Sequence, residues 1–150
     1  MWQSLIGKTI NMNGSILGFP ELNVFGIQPV DDSNDQSPFA YLQSQEQQEI
    51  GFLVVDPFTF FPHYELELSD RDKSELEVAD SQEVAVLGIV SIARPFESST
   101  VNLMAPLLIN VSKFTGRQLV LPPDTPYQTK TPIFAAKYEK GGNPDAHTNT

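Results

Sequence analysis

The sequence predicts an all-β, mainly antiparallel fold: a compact, single-domain, β-barrel-like unit with one short helix after Ser69. Three observations lead there. Apolar or alternating runs of strand length, at residues 5–10, 24–30, 39–42, 50–55, 83–92, 107–111 and 118–121, are separated at close intervals by Gly, Pro, Asn and Asp, the spacing of sandwiches and barrels. Two of these runs, Ile50-Gly51-Phe52-Leu53-Val54-Val55 and Val84-Ala85-Val86-Leu87-Gly88-Ile89-Val90, are apolar almost throughout, as strands covered on both faces are. Only the stretch Ser69-Asp70-Arg71-Asp72-Lys73-Ser74-Glu75-Leu76 carries the chemistry of a helix start.

Taken in order, each element has its own local reason. The early runs are bounded by Gly18-Phe19 and by the polar, turn-forming loop Asp31-Asp32-Ser33-Asn34-Asp35-Gln36-Ser37-Pro38. Gly51 and Gly88, inside the two apolar strands, predict bulges or close backbone approach, devices that let a sheet curl. At the helix, Ser69 is placed to cap the first amides, Asp72 stands three residues on, and acids in the first turn suit the helix dipole. Pro122-Pro123-Asp124-Thr125-Pro126 reads as a loop. Residues 1–140 are expected to form the single domain, and residues 141–150, with almost nothing to bury, a frayed tail.

Composition sets limits on function. A chain of 150 residues buries about 68 to 70% of its unfolded surface on folding, enough for one core without staples. The absence of cysteine excludes disulfides, thiolate metal sites, thiol nucleophiles and a redox pair. Met1-Trp2-Gln3-Ser4 does not begin a secretory signal, and no stretch approaches the ~20 apolar residues that span a bilayer. A soluble, cytoplasmic protein with no membrane contact is the expectation. The net charge of −10 is uneven: residues 1–83 carry fifteen acids and three bases, and residues 84–150 four acids and six bases. Such a field repels phosphate backbones, which argues against direct nucleic-acid binding, and draws basic partners in. Acidity that only keeps the protein soluble is the bland alternative.

Catalytic, metal and cofactor chemistry finds little support, and no catalytic, metal or cofactor-binding residue is assigned. His63 and His147 are the two histidines; His147 falls in the expected tail, so a Ser-His-Asp site would rest on His63, which comes after Phe60-Phe61-Pro62 and reads as a turn residue. Asp31, Asp32 and Asp35 superficially resemble a calcium loop, but the sixth position is not glycine and the twelfth, Leu42, is not a bidentate glutamate. Glu65 and Glu67 would share one face of a strand as a hydrolase pair does, yet no sugar-binding aromatics surround them. An exposed strand face explains them better.

Two segments stand out. Asp56-Pro57-Phe58-Thr59-Phe60-Phe61-Pro62-His63-Tyr64-Glu65 packs four aromatics between Phe58 and Tyr64 around two prolines, which cannot be an ordinary central strand. Most of its rings are expected to fill core, with one or two left at the surface. In Arg94-Pro95-Phe96-Glu97-Ser98-Ser99-Thr100-Val101-Asn102-Leu103-Met104-Ala105-Pro106, the residues Ser98, Ser99, Thr100 and Asn102 can fix a loop by bonding nearby backbone.

Asp-Pro-Phe-x-Phe-Phe-Pro-x-Tyr-Glu at 56–65, Pro-Phe-Glu-x-x-Thr-x-Asn-Leu-x-Ala-Pro-x-x-Ile-Asn at 95–110 and Gly-x-Gln-x-Val-Leu at 116–121 together resemble the flagellar assembly factor FliW. The resemblance runs over roughly residues 5–135, with Gly18-Phe19 and Tyr127 in the expected order; Val101 stands where the family often has alanine. It implies a non-enzymatic β-barrel-like domain with two partners: flagellin, and CsrA, a small basic regulator that represses flagellin translation. A flagellin-only chaperone-like module, and a carboxylate-dependent hydrolase, are the rivals. The two segments are expected to lie near one another and shape a partner surface, with Phe58, Phe61, Tyr64, Glu65, Phe96, Glu97 and Asn102 as candidates. Asp70, Asp72 and Glu75 are candidates for steering a basic partner. A monomer is expected when the protein is free.

Overall fold

The computed structural model describes residues 2–31 and 37–134. The expectation of a frayed tail at 141–150 therefore lies outside the described residues, as do Asp32 and Asp35. Among the described residues there are nine strands: β1 (Thr9–Asn11), β2 (Val24–Pro29), β3 (Phe39–Ser44), β4 (Gly51–Val55), β5 (Val84–Ser91), β6 (Thr100–Val101), β7 (Leu107–Asn110), β8 (Thr115–Gln118) and β9 (Thr131–Pro132). Seven of them close into a barrel in the order β4-β3-β2-β1-β8-β7-β5, and β5 returns to β4. Only β1 and β8 pair in parallel, through Asn11 and Thr115; the other pairings are antiparallel.

The long strand β5 divides its partners. Val84 to Leu87 face β7, Gly88 and Ile89 face β4, and Val90 and Ser91 face β6, which in turn carries β9. Along β5 only Ser91 is exposed, and buried residues occupy alternate and adjacent positions alike, because a strand covered on both faces has no polar side. Gly88 shows why a glycine stands there: a Cβ at this position would lie 2.5 Å from Val101 Cγ2. The close approach to the backbone is made here by the Val101 side chain. Gly51 pairs in regular register with Gln43, whose Oε1 would lie 2.8 Å from a Cβ there.

Two strand expectations shift. The run at 5–10 divides into a 3-10 helix (Trp2–Leu5) and β1 because Gly7, at φ +83°, turns the chain between them. The run at 118–121 lies mostly past the end of a strand: β8 is the polar-looking Thr115–Gln118, set up by a turn in which Phe114 takes φ +57°. Gly116 makes this possible, since a Cβ there would meet Met12 Sδ at 2.8 Å and the Leu108 carbonyl oxygen at 2.9 Å. Only Leu119 and Leu121 carry the pairing on, donating to the carbonyls of Pro106 and Met104.

The barrel interior is filled by Leu5, Ile10, Phe25, Ile27, Leu42, Val54, Leu87, Leu107 and Ile109, among others, and Trp2 plugs into the same cluster. The Trp2 indole Nε1 is buried there without a hydrogen-bond partner. The expected helix forms as α2 (Asp70–Leu76), after the single turn α1 (Pro57–Phe60). Ser69 Oγ accepts from the Asp72 amide at 3.0 Å, and Asp72 Oδ2 accepts from the Ser69 amide at 3.1 Å, a reciprocal cap. Leu76 anchors α2 in a small cluster with Val78, Val84 and Leu108. Asn110, fully buried, ties this helix end to the barrel: its Nδ2 donates to Leu76 O at 2.8 Å, and its Oδ1 accepts from the amides of Ser112 and Lys113.

The close approach at Gly88 yields a test. Gly88→Ala is expected to destabilise the protein by about 1 to 3 kcal/mol through overpacking, and Val101→Ala in the same chain to recover part of that loss, both measured by urea denaturation. A neutral Gly88→Ala would contradict the packing described for the closing strand.

Candidate partner-binding surface

Val55, the last residue of β4, leads directly into the aromatic segment. The segment opens with the helical turn α1 rather than irregular chain. Asp56 starts it: its Oδ1 accepts from the Phe58 amide at 3.1 Å, and Pro57 occupies the first helical position. An Asp-Pro pair is the usual chemistry of a helix start, a signal present in the sequence but overshadowed by the rings around it.

The rings then assemble into two groups. Phe39, Phe60, Phe134 and Phe96 form a closed circuit in which successive centroids lie 5.9, 5.4, 5.8 and 5.7 Å apart, within the range of favourable edge and tilted contacts. Beside it Phe58 leans on Tyr64 at 5.8 Å, and Tyr64 meets Tyr127 edge-on at 4.7 Å. Phe58 and Phe96 are the exposed members, 43% and 39% accessible, whereas Phe60 and Phe61 are half-buried. The expectation that one or two rings stay outside is met by Phe58 within its segment.

Tyr64 is buried, and its hydroxyl donates to the Leu103 carbonyl at 2.7 Å. That bond joins the 56–65 segment directly to the 95–110 segment. Burial, with Tyr127 close by, pushes the phenol of Tyr64 well above its ordinary value. Tyr127, which the sequence offered only as a family position, holds the corner from the other side: its hydroxyl oxygen accepts from the Glu65 amide at 2.9 Å. An open cleft of about 540 Å³ lies between residues 60–64 and residues 126–131, with Phe61, His63, Tyr64, Leu103 and Tyr127 among its walls.

The second segment is braced from within. Asn102 Oδ1 accepts from the amides of Met104 and Ala105 at 3.1 and 2.9 Å, and buried Ser99 accepts from Ala93 N at 2.9 Å. Asn102 therefore shapes the loop, as its side-chain chemistry allows. Glu97 sits exposed in a 3-10 turn (Phe96–Ser98) next to the phenylalanine circuit, and Glu65 is exposed beside Tyr127.

Asp70, Asp72 and Glu75 lie elsewhere, on α2, which packs outside β7 and β8. Asp72 is engaged in the helix cap. Glu75 lies 3.9 Å from both Arg71 and Arg117, exposed pairs of small energetic weight. The ten candidate residues thus fall into two groups, an aromatic end that includes the buried Tyr64 and an acidic helix. Leu66 packs against the clusters under both. Acidity elsewhere has structural uses too: the Glu46 carboxylate accepts from the amides of Asn23 and Val24, which hold its pKa below the usual range. Among the described residues no group of three or more His, Asp or Glu is arranged to hold a metal ion, and no helix is long and apolar enough to cross a membrane.

A sequence model of the FliW protein family matches residues 5–133, which takes in the barrel, the aromatic segment and the braced loop. The chain belongs to the FliW family. It is 38% identical over 131 residues to the flagellar assembly factor FliW of Geobacillus sp. (strain WCH70), covering 87% of this chain and 88% of that one. Identity to the factor of the same name from Bacillus subtilis (strain 168) is 40% over 126 residues, covering 84% and 85%. A crystal structure of the flagellar assembly factor FliW superposes with a TM-score of 0.76 at 35% identity, covering 83% of this chain and 84% of that one. The closed barrel is thus the FliW fold, and the resemblance drawn from the three motifs holds over most of the chain.

The geometry separates scaffold from surface. Tyr64→Phe, which orphans a buried carbonyl, and Asn102→Ala, which removes the one oxygen that accepts from two amides, are each expected to lower stability by about 1 to 3 kcal/mol. Phe58→Ala, losing an exposed ring, is expected to stay within about 1 kcal/mol of the parent in the same urea titration. A Phe58→Ala loss equal to that of Asn102→Ala would make this ring scaffold as well.

Proposed function

We propose that this protein acts, without catalysis and in the cytoplasm, as a partner switch in flagellar assembly, binding CsrA and flagellin in competition. Membership of a family whose relatives are named flagellar assembly factors carries this reading. Bound to CsrA, the protein relieves repression of flagellin synthesis; when unexported flagellin accumulates it takes the protein, and CsrA is released to repress.

Charge and surface chemistry support the reading. Fifteen acids against three bases in residues 1–83 suit a small basic partner, and negative charge held beside an RNA-binding surface lowers its affinity for phosphates without filling the RNA site. Exposed Phe58 and Phe96, with exposed Glu97 next to Phe96 and exposed Glu65 next to the Tyr64 on which Phe58 leans, have the composition of an interface anchor with polar neighbours. The protein itself does not bind nucleic acid or membrane in this scheme, and is monomeric when free.

Calorimetric titration of the purified chain with CsrA, repeated with flagellin present, tests the switch: CsrA binding is expected, and flagellin should displace it. Raising salt should slow CsrA association more than it speeds dissociation. Asp70→Asn with Glu75→Gln, which spares the capping Asp72, should flatten that salt dependence. Simultaneous, independent binding of both partners would refute the competition.

A further inference from the structure

Residues 65–68, Glu65-Leu66-Glu67-Leu68, connect the buried Tyr64 to the helix cap at Ser69. Their exposure alternates: Glu65 and Glu67 are exposed, Leu66 and Leu68 half-buried. That period of two is the signature of extended chain. Leu66 and Leu68 are fixed in the cluster beneath α2, and the Glu65 amide is tied to Tyr127. Yet among the described residues no strand pairs with them. Among the described residues, the amides of Leu66, Glu67 and Leu68 donate to no protein group, and the carbonyls of residues 65–68 accept from none. Among the described residues this stretch, held at both ends and by two leucines, therefore has the side-chain alternation of a strand and no pairing neighbour.

Proteins usually guard such an edge with lysine, proline, a bulge or a covering element. Here the guards are glutamates. Residues 65–75 hold five acids against two bases, and Arg71 is already beside Glu75. An edge of that charge repels a second copy of this chain, whose net charge is −10, and attracts a basic strand. At the Tyr64 end of the segment the edge runs into the aromatic cleft of about 540 Å³, a volume in the range of pockets that hold small ligands or side chains. Tyr127 belongs to both features, lining the cleft and bonding the first residue of the edge.

We infer that residues 65–68 are a docking edge for an extended, basic segment of a partner protein, which adds one strand there and sets an apolar side chain into the Tyr64–Tyr127 cleft. Main-chain hydrogen bonds supply affinity in this mode and the cleft supplies specificity. The receiving strand is already ordered, so the partner segment alone loses conformational freedom. The inference rests on the protein-binding reading above but on neither named partner.

The test uses the full chain labelled with 15N and three synthetic octapeptides: alternating Lys and Val with a terminal Phe, the same peptide with alternate amides N-methylated, and a version with Glu for Lys. The basic peptide is expected to shift the amide signals of Leu66, Glu67 and Leu68 and to slow the hydrogen exchange of Leu66 and Leu68, whose amides share the edge opposite the one Tyr127 occupies at Glu65. N-methylation should weaken it at least tenfold, and the Glu peptide should not bind. Glu65→Gln with Glu67→Gln, both at exposed positions, should weaken the basic peptide several-fold. Equal binding of the methylated peptide, shifts confined to α2, self-association through this edge, or no shift at millimolar peptide would each overturn the inference. If the peptide occupies the edge while CsrA and flagellin both fail to bind in the calorimeter, the partner-switch reading falls and this one stands; the reverse result separates them the other way.

Discussion

Two residue pairs close the barrel, Val54 with Ile89 and Val55 with Gly88, and the aromatic end of the molecule hangs from them. Immediately past Val55 the chain enters the Asp56 cap and α1; two residues past Ile89, β5 gives way to the stretch that leads into Phe96. Closing the sheet at this point therefore sets the two motif segments side by side. α1 rests against β5, and Val101 packs so tightly over Gly88 that no side chain fits between them. The aromatic circuit is then a cap on a seam. Its four rings come from β3, α1, the turn after Pro95 and the chain after β9, beside the place where β4 and β5 pair through two residues each.

Much of this is legible in the sequence. The apolar runs of β2, β3, β4, β5 and β7 announce themselves by period and by their Gly and Pro boundaries, and Ser69 with Asp72 announces α2. Strands that carry their reason elsewhere did not. β8 is Thr-Gly-Arg-Gln, with no apolar alternation, and exists because Gly116 lets it lie against Met12 and β7. β6 and β9 are two residues each and owe their pairing to the end of β5, which no local pattern encodes. The neighbourhood of the two motif segments was inferred from their unusual composition. Which side chain joins them, Tyr64 to the Leu103 carbonyl, depends on register across the barrel and is invisible in either segment alone.

The candidate residues also sort by a physical rule the sequence cannot apply. Tyr64 and Asn102 are polar groups whose bonding capacity is spent inside the fold, the first on a carbonyl and the second on two amides. Such groups are held in place because an unmade partner is expensive in a dry setting. Phe58, Phe96, Glu65 and Glu97 keep their functional ends in water, and so are the side chains a partner can meet. Asp72 and Glu46 make the same point for charge: a carboxylate bonded to backbone amides contributes to the field around the protein but is not at liberty to reorient toward a ligand.

Trp2, the chain's sole tryptophan, gives the molecule an optical property set by its address. The indole is sealed in the cluster that fills the barrel, whereas the rings of Tyr64, Phe60 and Tyr127 belong to a separate cluster at the aromatic end. Its fluorescence consequently reports the integrity of the barrel and is insulated from events on the outer surface. A ligand at the aromatic end leaves the emission where it was, and melting of the barrel moves it to the red, so one cuvette distinguishes a variant that has lost its grip from one that has lost its shape.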